Sequence, residues 1–347
     1  MTQIKIYEKE INIGDDIKFY NIEEDVFTIS GVYKDRGLYR RLPEEVAKTV
    51  SPQVHGLHSV TSGGRVRFKT DSNTIAIRAQ MGIVNLDSNT SVTANAGFDV
   101  YERKDGSQRF VKGVMPPFKM TKTYEDIISV KGGEVKEYVI NFPMWSEVEE
   151  LWIGIEDGAQ LLKADDYTVT KPVVFYGSSI TMGKCFSRPG CSYENILSQH
   201  LDFEYINLGF GGSARGEQEI ADYIAGLDMS AFVLDYDHNA PSPEYLQETH
   251  ERFYKTVRNA HPDIPIIMMS RPKYYLTEKE ELRKAVIEET YKKALSAGED
   301  VYFIPGNTLM NDFVKDNGTV DGTHPNDAGF SSMASVIEPV LKKALKL

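Results

Sequence analysis

The stretch VVFYGSSITMG, residues 173–183, joins a short apolar run to a glycine and two serines. Its first four residues are typical of a buried β-strand, and Gly177 ends that run. Ser178 and Ser179 follow at once. The stretch is therefore either an ordinary strand-to-helix turn or a turn that presents a serine nucleophile at the end of a strand.

Downstream of this stretch, apolar runs alternate with segments of helical periodicity. The five predicted strands are PVVFYG (172–177), EYINLG (204–209), AFVLDYD (231–237), IPIIMMS (264–270) and DVYFIPG (300–306). The helix after the fourth strand is predicted to begin with a capping box of Thr277 and Glu280. Pro339 is expected to kink the last helix or to end it early. Strands alternating with helices predict a parallel sheet of five strands, with helices on both faces.

Upstream of the same stretch, the sequence is rich in short β-segments separated by turn sequences such as SGG and KDGS. The predicted strands are RVRFKT (65–70), TIAIRAQM (74–81), SVTANAGFDVYE (91–102), QRFVKGVM (108–115), EVKEYVINF (134–142) and EELWIGIE (149–156). One helix is expected near LPEEVAKTV (42–50). Strands at this spacing favour a jelly-roll-like β-sandwich. We place the boundary within 161–172, which predicts a sandwich domain at 1–165 and an α/β domain at 166–347.

Composition restricts the partners and the location. A formal net charge of −12 over 347 residues disfavours nucleic acid and anionic membranes as partners. The chain has no apolar run long enough to span a membrane, and MTQIKIYEKEINIGDD (1–16) has no apolar signal core. We therefore expect a cytoplasmic protein. A homo-oligomer is compatible with the sequence.

The sequence predicts neither a metal site nor a cofactor. Its two cysteines, Cys185 and Cys191, are too few for a disulfide scaffold or a zinc site. They form either a reduced pair or a local disulfide that braces their loop. His55 and His58 have no further ligands at suitable spacing nearby.

Ligands bind beyond the carboxyl ends of the strands in an open α/β sheet, so the residues after each predicted strand are candidates. Ser179 is the predicted nucleophile, His324 its general base, and Asp321 the group that orients the imidazole. The backbone N–H groups of Ser179 and Gly212 and the side-chain amide of Asn239 are the predicted oxyanion donors. Each motif alone could be turn chemistry, and DGTHPND (321–327) could simply cap the last helix. Together they supply the groups that acyl transfer requires.

Four more residues are candidates for substrate binding. Arg188 and Arg271 lie on loops at the predicted active edge, where each either binds substrate or pairs with a local carboxylate. His238 either touches substrate or fills the end of its strand. Tyr274 is a further pocket candidate.

The order of these motifs resembles the four blocks of the SGNH (GDSL-type) hydrolase family. Ser179 matches the first block in GSSIT, Gly212 the second in NLGFGG, and Asn239 the third. Asp321 and His324 match the last block, and the resemblance covers about 172–345. Two departures stand out: Ser178 occupies a position where many members have Asp, and DHNA replaces the usual Gly-x-Asn-Asp.

The N-terminal half resembles a subgroup in which a β-sandwich precedes the SGNH domain. The similar stretches are RGLYRRLP (36–43), TSGGRVRFKTDS (61–72) and CFSRPG (185–190). The resemblance implies a three-layer α/β/α, flavodoxin-like fold and a serine esterase that acts on short-chain acyl esters, above all acetyl esters, of carbohydrates such as xylo-oligosaccharides.

Other functions stay open at this point. An acyltransferase, or a lipase or arylesterase of the same family, would use the same residues. The sandwich alone would suit a carbohydrate-binding module, although we expect it to pack beside the active edge and to contribute loops there.

Overall fold

An antiparallel β-region precedes a parallel five-stranded sheet in the computed structural model of the protein, which describes residues 13–117, 119 and 121–347. Residues 1–12, part of the charged N-terminal stretch considered above, lie outside this range. We call 17–162 the sandwich region and 169–345 the parallel-sheet region.

The sandwich region contains two main antiparallel sheets. Its strands are β1 (Ile17–Asn21), β2 (Thr28–Ser30), β3 (Tyr33–Asp35), β4 (Leu38–Arg40), β5 (Arg65–Thr70), β6 (Thr74–Val84), β7 (Phe98–Lys104), β8 (Ser107–Val114), β9 (Thr123–Ser129), β10 (Lys136–Asn141), β11 (Ser146–Glu156) and β12 (Leu161–Leu162). One sheet has the order β1-β11-β6-β9, and the other has β12-β5-β10-β7-β8 with β2 also beside β5. Apolar side chains of both sheets, such as Ile77 and Phe68, form one buried cluster between them. The predicted sandwich is therefore confirmed.

Within its described residues, the sandwich region also contains three helices: α1 (Glu44–Val50), α2 (Pro52–Leu57) and α3 (Val92–Ala96). Helix α1 was expected, whereas the prediction of one strand over 91–102 is wrong in its first half. The Ser91 hydroxyl caps α3 by accepting from the backbone N–H of Ala94, and a serine cap before alanines favours a helical turn. Strand β9 was not predicted either.

The parallel-sheet region alternates strands and helices as expected. Its elements are β13 (Val169–Gly177), α4 (Ser179–Met182), α5 (Tyr193–Leu201), β14 (Phe203–Gly209), α6 (Gln218–Ala225), β15 (Ala231–Asp235), α7 (Pro243–Ala260), β16 (Ile266–Met269), α8 (Glu278–Ser296), β17 (Val301–Ile304), α9 (Gly306–Leu309) and α10 (Asp327–Leu345). All neighbours in the order β14-β13-β15-β16-β17 are parallel. The first strand of the region therefore lies inside the sheet, as in flavodoxin-like folds.

The two faces of this sheet bury different clusters. Val173 and Phe175 of β13 pack with residues of α5 and α10, whereas Val174 and Tyr176 pack with residues of α6, α7 and α8. Successive residues of a strand point to opposite faces, so a continuous apolar run serves both layers. Helices α1 and α2 join the second cluster through Ala47 and Val54.

Helix ends follow the sequence in one case and depart from it in another. The capping box of Thr277 and Glu280 is present at the start of α8. Helix α10, however, runs through Pro339 to Leu345, so of the two outcomes expected at this proline, a kink or an early end, the early end is wrong. A proline removes one backbone hydrogen bond, and buried Ile337 and Leu341 on either side hold the helix in place.

Buried arginines of the sandwich region hold β14 of the parallel sheet. Arg41 donates to the carbonyl oxygens of Asn207 (3.1 Å) and Gly209 (2.9 Å), and Arg65 donates to that of Tyr205 (2.9 Å). Complete burial lowers the pKa of Arg41 to about 9. The loop that follows β14 is thereby positioned from outside its own sheet.

Among the helices of the described residues, none combines the length and the apolar character needed to cross a membrane.

Candidate active site

Ser179 is the first residue of α4, directly after the end of the central strand β13. A Cβ atom at Gly177 would lie 2.3 Å from the carbonyl oxygen of Asp235, so only glycine fits there. The hydroxyl of Ser178 accepts from the backbone N–H of Ile180 (3.1 Å) and caps α4. The two serines therefore differ: Ser178 is fully buried as a cap, and Ser179 faces a cavity.

A chain of hydrogen bonds joins Ser179 to the loop before α10. The Ser179 Oγ lies 2.9 Å from Nε2 of His324, and Nδ1 of His324 lies 2.7 Å from Oδ2 of Asp321. The other oxygen of Asp321 accepts from the backbone N–H groups of Thr323 (3.0 Å) and His324 (2.9 Å). With its proton on Nδ1, the imidazole presents an acceptor to the serine hydroxyl, which is the arrangement of a nucleophile, a base and an orienting carboxylate.

The Asp321 carboxylate is held in its ionised form. Partial burial alone would raise its pKa, but hydrogen bonds from the backbone and ring of His324 outweigh burial and bring the pKa down to about 2. An ionised carboxylate at this place stabilises a positively charged imidazole.

Asn89, in the sandwich region, adds a contact that sequence reasoning missed. Its Nδ2 donates to Oδ2 of Asp321 at 3.0 Å, across 232 positions of sequence. The same loop is anchored to the parallel-sheet region by an ion pair of Asp87 with Lys184 (2.7 Å). Nothing in the local sequence around Asn89 points to this contact, because only the packing of the two regions creates it.

The predicted oxyanion donors lie around the serine. Gly212 has a φ of +69°, in the left-handed region that favours glycine. A Cβ at its neighbour Gly211 would lie 3.3 Å from Cβ of Ser179, so this loop passes close to the nucleophile. Asn239 ends a 3₁₀ turn after β15, and its Nδ2 donates to the carbonyl oxygen of Phe210 (3.3 Å).

These groups meet in one cavity of about 410 Å³. Its lining comprises Leu57, Trp145, Ser179, Met182, Lys184, Gly211, Gly212, His238, Asn239, Arg271, Thr323 and His324. Leu57 and Trp145 come from the sandwich region, which confirms the expectation that this region packs beside the active edge and contributes to it.

The four predicted substrate-binding residues divide into two pairs. His238 and Arg271 line the cavity, and Arg271 also donates to Glu280 (2.7 Å) and to Thr323 (2.9 Å). Arg188 and Tyr274 are not in its lining. Arg188 pairs instead with the buried Asp99 (2.9 Å) of the sandwich region, which is the alternative left open by the sequence.

Tyr274 is directed to a different partner. Its hydroxyl donates to Oδ1 of Asp312 at 2.8 Å. The sequence placed both Arg188 and Tyr274 on loops near the site. The direction of each side chain, however, depends on the partners that the tertiary structure brings to it.

Cys185 and Cys191 carry free thiols in the structure. Burial raises the pKa of the Cys185 thiol, which lies 3.7 Å from the hydroxyl of Thr90. Among the residues that the structure describes, two groups of side chains could each hold a metal ion by their spacing alone: Cys185 with Asp321 and His324, and Asp235 with Asp237 and His238.

Comparison with solved structures identifies chains of the same overall arrangement. A Bacteroides ovatus ATCC 8483 protein described as a GDSL-like lipase is 29% identical, with 95% of this chain and 98% of that chain covered and a TM-score of 0.84. A salicylyl-acyltransferase, SsfX3, from a tetracycline biosynthetic pathway is 18% identical, with coverage of 95% and 98% and a TM-score of 0.77. An acetyl xylan esterase, Est2A, from the rumen bacterium Butyrivibrio proteoclasticus is 16% identical, with coverage of 95% and 99% and a TM-score of 0.59.

No curated protein is significantly similar to this chain. Family models, by contrast, match most of it. Residues 17–161 match the model described as the N-terminus of Esterase_SGNH_hydro-type, and residues 170–342 match the GDSL-like lipase/acylhydrolase family. On these matches, and with the serine, glycine, asparagine and histidine of the family blocks around one cavity, the chain belongs to the GDSL-like lipase/acylhydrolase family, of the SGNH type with an N-terminal β-sandwich.

Proposed function

We propose that this hydrolase is a serine esterase that removes short acyl groups, above all acetyl, from carbohydrate esters such as acetylated xylo-oligosaccharides. The observation that carries the proposal is the hydrogen-bonded chain from Ser179 through His324 to Asp321, with links of 2.9 Å and 2.7 Å. The sugar part of the proposal is supported by the acetyl xylan esterase of the same fold. A cavity of about 410 Å³ is within the size range of small-molecule sites.

In the first half-reaction, Nε2 of His324 takes the hydroxyl proton of Ser179 while Oγ bonds to the ester carbonyl carbon. The negative charge that develops on the carbonyl oxygen is stabilised by the N–H groups of Ser179 and Gly212 and by the amide of Asn239. Collapse of this intermediate breaks the bond to the sugar oxygen, which receives the proton from Nε2.

In the second half-reaction, a water molecule takes the place of the sugar. His324 accepts a proton from the water as the water oxygen bonds to the acyl carbon. The bond between the acyl carbon and Oγ of Ser179 then breaks, Oγ takes the proton from His324, and the carboxylic acid leaves. Asp321 keeps the imidazole in one orientation throughout and stabilises it when it is charged.

The test is hydrolysis of 4-nitrophenyl acetate, followed by a panel of acetylated oligosaccharides and longer-chain esters read for released acid. We expect Ser179→Ala to lower kcat by at least about 10⁴-fold, because the nucleophile is removed. Ser178→Ala is the matched control: it should cost about 1 kcal/mol of stability through the lost helix cap but keep the reaction. Undiminished hydrolysis by Ser179→Ala would refute the assignment. A preference for long-chain esters would favour a lipase.

Acyl transfer is the second candidate, favoured by the likeness to an acyltransferase over 95% of this chain. An alcohol can attack the acyl-enzyme by the same steps as water. Product analysis with a competing sugar alcohol distinguishes the two, since transfer that far exceeds hydrolysis at low alcohol concentration identifies a transferase. The cytoplasmic location expected from the sequence stays a prediction.

A further inference from the structure

A second cavity, of about 230 Å³, adjoins the proposed active site. We call it the side pocket. It is lined by His238, Arg271, Thr277, Lys279, Glu280 and Arg283. His238 and Arg271 also line the larger cavity. A group bound in the side pocket would therefore lie next to a substrate whose ester reaches Ser179.

The charges around the side pocket are mainly positive, in a chain whose formal net charge is −12. Its lining has three cations, Arg271, Lys279 and Arg283, and one carboxylate, Glu280. That carboxylate already accepts from Arg271 (2.7 Å) and from Lys273 (3.0 Å). Its charge is thus largely neutralised, and the pocket as a whole favours an anion.

The position of Arg283 is the main evidence that the side pocket binds an anion. Its side chain belongs to α8 and the residue is only 5% exposed, yet within the described residues no carboxylate oxygen lies within 4.0 Å of its guanidinium. One of its nitrogens donates to the backbone carbonyl oxygen of Asp237. Burial lowers the pKa of Arg283, and the more distant charges of Asp237, Glu280 and Glu244 only partly offset this effect.

Arg271 supports the same conclusion. Its Nε is buried and, within the described part of the chain, has no hydrogen-bond partner. A buried donor without a hydrogen-bond partner is costly, and an incoming anion that accepts from this Nε would recover that cost. Two guanidinium groups around one pocket also suit the paired oxygens of a carboxylate or a phosphate.

We propose that the side pocket binds an anionic group, a carboxylate or a phosphate, carried by the alcohol part of the ester substrate. Arg283 and Arg271 bind the anion at the base of the pocket, and exposed Lys279 attracts it at the rim. The inference rests on the proposed esterase function and narrows its substrates to esters of acidic sugars.

The kinetic test compares three acetyl esters that differ in one group: acetylated glucose, acetylated glucuronate and acetylated glucose phosphate. We expect kcat/KM for an anionic ester to exceed that for the neutral one by about tenfold or more, as charge-assisted hydrogen bonds allow. Lys279→Met should reduce this ratio several-fold. The control Lys284→Met, whose lysine pairs with Glu281 (2.8 Å) and lines neither cavity, should leave the ratio unchanged.

A binding test separates this inference from the esterase function. Calorimetry with the Ser179→Ala protein would measure the affinities for glucuronate, inorganic phosphate and glucose, and then repeat them with Lys279→Met and Arg283→Gln added. Anion binding that weakens several-fold in Lys279→Met and about tenfold in Arg283→Gln supports the side pocket. The anion that binds more tightly shows whether the pocket takes a carboxylate or a phosphate. Equal affinities for glucuronate and glucose, together with no phosphate binding, would overturn it. Lys279→Met is a surface change, so the test survives if Arg283→Gln fails to fold.

The two failures are distinguishable. Anion binding without hydrolysis of any ester would refute the proposed function and leave the side pocket standing. Hydrolysis of all three esters with equal kcat/KM would keep the esterase and refute the anion subsite.

Discussion

The parallel-sheet region and the sandwich region reach the same cavity by different routes. Ser179 and Gly212 follow the carboxyl ends of parallel strands, whereas Trp145 and Asn89 come from loops of the sandwich region. Parallel strands bring their carboxyl ends to one edge, so groups that must act together can be placed there. The strands of an antiparallel sheet end alternately at both edges, and the sandwich region therefore offers walls and one orienting amide rather than a set of reacting groups.

The comparison predicts a large effect for a donor of the parallel-sheet region. We expect Asn239→Ala to lower kcat by about 10²–10³-fold, because one oxyanion donor is lost. Single-turnover kinetics with an activated acetyl ester would measure it. The matched control is Asn73→Ala in the sandwich region, where the side-chain amide of Asn73 donates to Glu156 (3.1 Å). If Asn239→Ala costs no more than this control, the oxyanion donors are wrongly assigned.

A second prediction concerns acid stability of the parallel-sheet region. His250 of α7 is buried against Thr290 (3.0 Å), and its burial lowers its pKa to about 4, while Asp237 and Glu251 only partly oppose this effect. The unfolded chain binds a proton near the ordinary histidine pKa of about 6.5, so stability is full above that pH and is lost as pH falls towards about 4. Between about pH 7 and pH 4 the loss should be about 3 kcal/mol.

Urea denaturation of the parent and of His250→Gln at both pH values measures this loss, since other titrating groups are common to both proteins. Between about pH 7 and pH 4, the free energy of unfolding of the parent should fall by about 3 kcal/mol more than that of the variant. Equal losses would show that His250 is protonated without cost.

Both tryptophans, Trp145 and Trp152, belong to the sandwich region. Their fluorescence and the helical circular dichroism together show whether the two regions unfold as one unit or separately.

The smallest predicted effect belongs to the sandwich region. Asn89→Ala should lower kcat about tenfold and leave KM nearly unchanged, because Asp321 loses one donor but stays bonded to His324. Steady-state kinetics would measure it, with Ser88→Ala in the same loop as the control. An equal change in KM would indicate a role in binding instead. If kcat fell as much as in Asn239→Ala, the sandwich region would contribute to the reaction as directly as the parallel-sheet region, contrary to the comparison.

Sequence reasoning brought Ser179, Asp321 and His324 together because ligand-binding residues of an open α/β sheet lie beyond the carboxyl ends of its strands. Ser179 follows an apolar run, and Asp321 and His324 lie three positions apart, where a turn brings them together. The first half of the strand predicted over 91–102 failed for the opposite reason: a serine cap and a short alanine-rich turn outweighed the surrounding β-pattern. Arg188 and Arg271 looked equivalent as loop arginines, yet one pairs with Asp99 and the other lines the cavity.

The sequence by itself determined the layers of the molecule, the alternation of helices with the strands of a parallel sheet, and the serine, histidine and aspartate of the candidate site. These depend on periodicity and on short spacings, which act locally along the chain. Only the tertiary structure decided that Ser178 caps a helix, that Asn89 contacts Asp321, and that buried Arg283 of the side pocket has no ion pair with any residue that the structure describes. Such contacts join distant segments, and their energies exist only once both regions have packed together.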